Sequence, residues 1–204
     1  MTMSITTIFF DIGGVLLTDG WGHESRRAAA ARFGLDWEEY ADRHEKVGHQ
    51  IETGSMTLDQ YLTRTIFYRP RDFSREEFRE FVFAQSQAKA DSLKIVAELS
   101  DVADYFLATI NNEILELNVY RLEHFELRRY FSAFFSSCFL GIRKPDEAIY
   151  RTALQVTQRQ PEECLFIDDR EVNLECPREL GMTTILFQDA SQLRSGLTRA
   201  GIRL

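Results

Sequence analysis

Two hydrophobic rhythms run through this chain. Residues 5–10, Ile5-Thr6-Thr7-Ile8-Phe9-Phe10, are an unbroken β-branched and aromatic run, which predicts a short strand buried in a parallel sheet. The run stops at Asp11, and Gly13-Gly14 follow. Charge at the carboxyl end of a central strand, beside backbone free to take φ > 0, is where open α/β sheets place ligands.

The pattern then turns helical for about 70 residues. Glu24–Phe33 is rich in Ala and Arg and closed by Gly34. Asp36 is placed to cap a helix that buries Trp37, Tyr40, His44 and Val47. Thr57-Leu58-Asp59-Gln60 and Ser74-Arg75-Glu76-Glu77 both have capping-box form. Leu58, Tyr61, Leu62, Thr65 and Ile66 mark the apolar face of the first of these helices, and Phe78, Phe81, Val82 and Gln85 that of the second. No strand falls between them, so the segment reads as a helical insertion.

Strands and helices alternate from there on. Asp91 is predicted to cap a helix through Leu93, Val96 and Leu99, before a strand at Tyr105–Ile110 and a helical region over 112–129. Ala133–Leu140 reads as a strand, and Pro145 suits the first turn of the helix after it. Glu163–Ile167 predicts a strand ending in Asp168-Asp169, followed by a helix stopped at Gly181. Pro177 denies that helix a hydrogen bond to the Asn173 carbonyl, so a kink or early break is expected there. A strand at Thr183–Phe187 and a helix at Ser191–Ala200 complete a pattern that predicts an α/β parallel sheet wrapped by helices.

The 204 residues, 44% hydrophobic with 16 Phe, are enough for one domain with an insertion. Lys and Arg number 24 against 32 Asp and Glu, a net charge of −8 with no basic block, which argues against a nucleic-acid partner. The N-terminus is expected to carry no signal peptide and the chain no membrane span, and a cytoplasmic monomer or homodimer is expected. The three cysteines lack metal-type spacing; Cys138 and Cys164 read as small hydrophobes inside strand-like runs.

Four groups stand near predicted strand ends: Asp11, Thr109, Lys144 and the pair Asp168-Asp169. Singly, Asp168-Asp169 reads as a helix cap, Lys144 as a surface lysine and Thr109 as a strand residue. Together, a carboxylate nucleophile, a hydroxyl, an ammonium and a carboxylate pair are what metal-assisted phosphoryl transfer to an aspartate needs.

In these residues the chain resembles the haloacid dehalogenase-like hydrolase superfamily. Its four motifs match Phe10-Asp11-Ile12-Gly13-Gly14-Val15-Leu16, Ala108-Thr109, Arg143-Lys144-Pro145, and Phe166-Ile167-Asp168-Asp169 with Asn173. The resemblance implies a Rossmann-like core, residues 1–19 and 89–204, with helices on both faces and a small helical cap at 20–88. It implies a Mg²⁺-dependent phosphatase acting on a small phosphorylated metabolite, sugar phosphates among them, through an aspartyl-phosphate. Asp11 would be the nucleophile. Asp11, the Gly13 carbonyl, Asp169 and Asp168 (directly or through water) would hold the metal, an oxygen set that suits this cation. Thr109 and the backbone after it, Ile110, would hold phosphate, and Lys144 would offset its charge. Asn111 and its neighbours Asn112 and Glu113 are candidates for substrate contact, as are Trp21, His23, His44 and His49 in the cap, with Trp21 and His23 ahead because they follow the first motif directly.

One position departs from the pattern. Phosphatases of this superfamily usually carry a general acid two residues after the nucleophile, and here Gly13 stands there. Loss of such an acid commonly costs about 10²–10⁴-fold in rate. His23, a water or a good leaving group would cover the gap, and sugar 1-phosphates, acyl phosphates and aryl phosphates are then favoured over alkyl esters. Two alternatives stay open: a 2-haloacid dehalogenase-type hydrolase, which the acidic pair argues against, and a catalytically weak phosphate- or partner-binding member.

Overall fold

The computed structural model describes residues 4–102 and 104–204. Strand β1 (Thr7–Phe10) is buried at every position, as a central parallel strand is. Five helices follow: α1 (His23–Arg32), α2 (Trp37–Glu45), α3 (Gly48–Glu52), α4 (Leu58–Thr65) and α5 (Arg75–Ala84). Asp36 caps α2 through the Glu39 amide, and both expected capping boxes close, at Thr57 and Ser74. Trp21, Tyr40, Ile51, Tyr61, Phe78 and Val82 belong to an apolar cluster of their own, which reaches the main body at Ile114 and Leu117. Trp37 and His44, expected inside it, are only half-buried: Trp37 packs edge-on to His23 beneath the Arg27 guanidinium.

Helix α6 (Ala90–Asp101) starts two residues earlier than expected. Asp91 lies in its first turn and makes no cap; Lys89 is at the cap, its amide tied to the Leu16 carbonyl. Then come β2 (Phe106–Asn111), α7 (Leu115–His124) and β3 (Ala133–Ser136). The apolar run after β3 does not continue as strand. Ser136 and Ser137 turn their hydroxyls to Asn111 and to the Glu52 carbonyl, and the chain winds into the short helix α8 (Ser137–Leu140), which holds Cys138. Helix α9 (Glu147–Thr157) begins after Asp146, so Pro145 precedes the cap rather than entering the first turn.

Strand β4 (Cys164–Asp168) leads to α10 (Val172–Leu180), which runs through Pro177 without breaking. The Tyr150 hydroxyl donates to the Asn173 carbonyl at 2.7 Å and satisfies the acceptor that the proline leaves free. Strand β5 (Thr183–Leu186) and α11 (Ala190–Arg199) complete the chain.

All strands pair in parallel in the order β3-β2-β1-β4-β5, with one apolar cluster on each face of the sheet. Phe10 is in register with Thr109 and with Ile167, so Asp11 and Asp168 are side by side at the carboxyl edge. No helix among the described residues is long and apolar enough to cross a membrane. The two strands of chain leading into and out of the five-helix segment are zipped together: Thr18 exchanges backbone and hydroxyl hydrogen bonds with Gln85 and Gln87.

Candidate active site

Asp11 follows β1 directly, its amide donating to the Ile167 carbonyl at 2.8 Å. One carboxylate oxygen from each of Asp11, Asp168 and Asp169 lies within 4.8 Å of the others. Lys144 is almost fully buried, and its Nζ donates to Asp11 Oδ1 at 2.9 Å and to Asp168 Oδ2 at 2.6 Å. Asn112 fixes the loop that carries it: its carboxamide accepts from the Lys144 amide and donates to the Lys144 carbonyl, both at 2.9 Å.

The two adjacent aspartates differ in surroundings. Asp168 is wholly buried and surrounded by donors: Lys144, the Arg170 amide at 2.8 Å and the Asn173 carboxamide at 3.0 Å. Asp169 is half-buried and faces the cavity described below. It lies across Gly14, where φ is +73° and an added Cβ would overlap its carboxylate. A glycine is required there on both counts. Asp168 therefore holds Lys144 in place, while Asp11 and Asp169 remain open to a ligand.

Negative charge is in excess at this edge. Burial raises the Asp11 pKa, with Asp168 and Asp169 adding to the effect and Lys144 opposing it. Burial works against the Lys144 ammonium, but Asp11 and Asp168 outweigh it and hold its pKa above the usual range. Asp169 is raised by burial and then by Asp168 and Asp19. One added cation would relieve both raised carboxylates. The all-oxygen donor set suits a hard divalent ion such as Mg²⁺, so the residues present fit a metal.

A cavity of about 320 Å³ opens over this edge. Asp11, Gly13, Lys144, Asp169 and Asn173 form its floor, and Trp21, His23, Arg26, His44 and Glu52 come to it from the helical segment. His44 lends Nδ1 to the Tyr61 hydroxyl at 3.0 Å, and burial, with Arg26 and Arg143 nearby, lowers its pKa to about 4. It is a neutral wall of the cavity. His49 is exposed and outside the wall.

Three expected contacts are not in the wall. Thr109 is fully buried one register step below Asp11, with its hydroxyl turned to Asn111. Ile110 packs into the apolar cluster beneath the sheet. Asn111 donates to Asn118 and accepts from Ser136. The polar residues after β2 that do line the cavity are Asn112 and Glu113.

The residue that sequence reasoning missed is Asp19. Its carboxylate lines the cavity beside Gly13, where a Cβ built on Gly13 would lie 3.5 Å from Asp19 Oδ1. The signal available was an acid just before Gly20 on the same loop as the vacant Gly13 position. Behind it, Glu113 and Arg121 form a buried pair. The signal for Arg121 was a charge at helical spacing between Leu117 and Phe125 on an otherwise apolar face.

A family model, haloacid dehalogenase-like hydrolase, matches residues 5–181. This chain belongs to that family. It is 26% identical to flavin mononucleotide hydrolase 1 of Arabidopsis thaliana over 97% of its own length and 78% of that protein. It is 24% identical to the D-ribitol-5-phosphate phosphatase of Bacteroides thetaiotaomicron, over 95% and 97%. A solved family enzyme of Bacteroides thetaiotaomicron, in complex with magnesium and inorganic phosphate, matches with a TM-score of 0.75 at 19% identity, covering 91% of this chain and 96% of that one. At that identity the likeness is one of fold. The chain is thus a hydrolase of this family, with phosphatases among its relatives.

Proposed function

We propose that this hydrolase is a Mg²⁺-dependent phosphatase acting on a small polyol phosphate, with Asp11 as nucleophile. The observation that carries the reading is the Asp11, Asp168, Asp169 cluster bridged by Lys144 at the floor of the cavity. Carbon–halogen hydrolysis calls for no such cluster. Asp11 and Asp169, with the Gly13 carbonyl, would hold the Mg²⁺. When bound, the ion supplies positive charge against the phosphoryl oxygens.

Asp11 Oδ1 is engaged by Lys144 and by the Ile12 amide at 2.7 Å, which leaves Oδ2 to attack phosphorus. The bond from phosphorus to the ester oxygen breaks as the new one forms, and Lys144 offsets the charge beside it. In this reading Asp19 gives the leaving oxygen its proton. It then takes a proton from the water that hydrolyses the aspartyl-phosphate, which releases phosphate and frees Asp11. The helical segment forms a cap over the cavity and selects the substrate.

The relatives bear on the substrate. Flavin mononucleotide and ribitol 5-phosphate share a primary phosphate on a five-carbon polyol chain, and the cavity offers polar partners for hydroxyls in Asn112, Glu52 and Arg26. Its volume is at the lower end of the roughly 300–1,000 Å³ typical of small-molecule sites, which favours the polyol phosphate over the whole flavin. These are alkyl esters, so the preference for good leaving groups inferred from Gly13 alone gives way to a proton donor at Asp19.

The test is phosphate release from ribitol 5-phosphate, flavin mononucleotide and p-nitrophenyl phosphate, with Mg²⁺ or with EDTA, in wild type and Asp11→Asn. Turnover that needs Mg²⁺ and disappears in Asp11→Asn is expected. Turnover that survives either change, or 2-chloropropionate dechlorination without phosphate release, would refute the reading.

A further inference from the structure

We infer that the buried Glu113–Arg121 pair is a positioning element of the reaction, setting the course of residues 18–20 so that the Asp19 carboxylate stands beside the space left by Gly13. The inference rests on the reading of Asp19 as proton donor. Arg121, on α7, is among the most buried side chains of the protein. One of its terminal nitrogens, Nη1, donates to Glu113 Oε2 at 2.5 Å, and the other, Nη2, donates to the Thr18 carbonyl. Glu113 is itself held, with Oε1 accepting from the Ile114 amide at 2.9 Å and its own amide donating to the Ser137 hydroxyl at 3.1 Å.

The next turn of chain is moulded against this pair. Gly20 takes φ +60°, and an added Cβ would lie 2.5 Å from Glu113 Oε2 and 2.8 Å from Arg121 Nη1. No side chain fits between the pair and the linker. Asp19, between the two gripped residues, is directed to the cavity with Oδ1 toward Gly13 and Oδ2 against Gly22, whose lack of a side chain leaves room for it. Arg121 Nη1 is also 3.9 Å from the place of a Gly13 Cβ, so the pair and Asp19 together border the volume an acid at position 13 would use.

A purely structural role explains the pair less well. Buried ion pairs add little net stability over well-packed apolar residues, and this one leaves Arg121 Nε without a partner among the described residues. What a rigid guanidinium fork supplies is direction: two donors at fixed angles, one to its anchor and one to the linker.

A proton donor matters most when the leaving group is poor, and that gives a readout which a loss of packing would not move. In the full chain with Mg²⁺, kcat/KM is measured for ribitol 5-phosphate and p-nitrophenyl phosphate in wild type, Arg121→Met, Gly20→Ala and Asp19→Asn, and in the doubles with Asp19→Asn. Gly20→Ala keeps both charges and forces the linker and the pair apart, so it decides the matter where Arg121→Met fails to fold. Arg121→Met and Gly20→Ala are expected to lower kcat/KM for the alkyl ester at least about 10-fold more than for the aryl ester. Added to Asp19→Asn, each is expected to cost less than about 2-fold further, since the group they position is gone. Equal losses on both esters, or full additivity with Asp19→Asn, would overturn the inference while leaving Asp19 as donor. An Asp19→Asn enzyme with no leaving-group dependence would remove the donor reading, and the inference with it.

Discussion

The vacancy at position 13 and the carboxylate at position 19 should be exchangeable. Asp19→Ala removes the group assigned to move the proton, and kcat/KM for ribitol 5-phosphate should fall about 10²-fold or more. At 1.36 kcal/mol per decade that is roughly 3 kcal/mol of transition-state stabilisation. Gly13→Asp should restore much of it. The Cβ built at Gly13 meets Asp19 Oδ1 at 3.5 Å, Asp19 Cα at 3.8 Å and Arg121 Nη1 at 3.9 Å, all ordinary contacts. The φ at Gly13 is not in the left-handed region, so the new side chain adds no backbone strain. Alone, Gly13→Asp sets a second carboxylate against Asp19 and should slow the enzyme. Combined with Asp19→Ala it occupies the volume that Asp19 has left.

Steady-state and burst measurements separate the two halves of the reaction. Because kcat/KM reports only the steps up to aspartyl-phosphate formation, it isolates the proton given to the leaving oxygen. With p-nitrophenyl phosphate, whose leaving group needs little help, Asp19→Ala should show a burst of p-nitrophenolate followed by slow turnover, because water attack has lost its base. The expected rescue in the double variant is at least about 10-fold in kcat/KM on ribitol 5-phosphate. Asp19→Ala within about 3-fold of wild type, or a folded double variant no faster than Asp19→Ala, would refute the assignment.

Gly14→Ala puts a Cβ onto Asp169 and forces an L residue to φ +73°, at a conformational cost of roughly 1–2 kcal/mol; Mg²⁺ binding followed by calorimetry should weaken about 10-fold or more, and unchanged binding would contradict a metal role for Asp169. His44 has a folded pKa of about 4 against an ordinary 6.5. As pH falls below 6.5 the unfolded chain takes up a proton that the folded one refuses, so stability is lost between these values. Discounted for partial exposure, the loss in urea unfolding from about pH 7 to about pH 5 should be roughly 1–2 kcal/mol, and His44→Gln should remove that share of it. Tyr150→Phe leaves the Asn173 carbonyl without its donor and should cost about 1–3 kcal/mol in the same assay, with Pro177→Ala in that background returning part of it as the helix regains an amide.

The sequence made the local structure legible. Both capping boxes, the Asp36 cap and the Gly181 stop depend on neighbours within a few residues, and each formed as read. The convergence of Asp11 with Asp168 was legible for a different reason: in a parallel sheet, two strands that end in acids at the same register must bring them together. What was not legible depends on polar contacts across long stretches of chain. Nothing near Ser137 says that its hydroxyl will turn to the Glu52 carbonyl as the run leaves the sheet. Nothing near Pro177 announces Tyr150. For the same reason Thr109, Ile110 and Asn111 read as substrate contacts, although burial and the Asn118–Ser136 network claim them.

Gly13 is where the two kinds of information meet. Its departure from the family pattern is visible in the sequence, where His23, a water or a good leaving group covers the gap on chemical grounds. In the structure His23 lines the cavity but pairs with Glu24 at its exposed rim. Asp19 stands beside Gly13, on the same loop, and the contact that directs it comes from Arg121, 103 residues beyond Thr18. The space a side chain at Gly13 would take opens onto the cavity, and the exposed Asp19 of the same loop borders it. The search for a replacement therefore begins from the geometry of the vacancy: a Cβ placed on Gly13 meets a carboxylate and a guanidinium, and those two side chains are the ones to mutate.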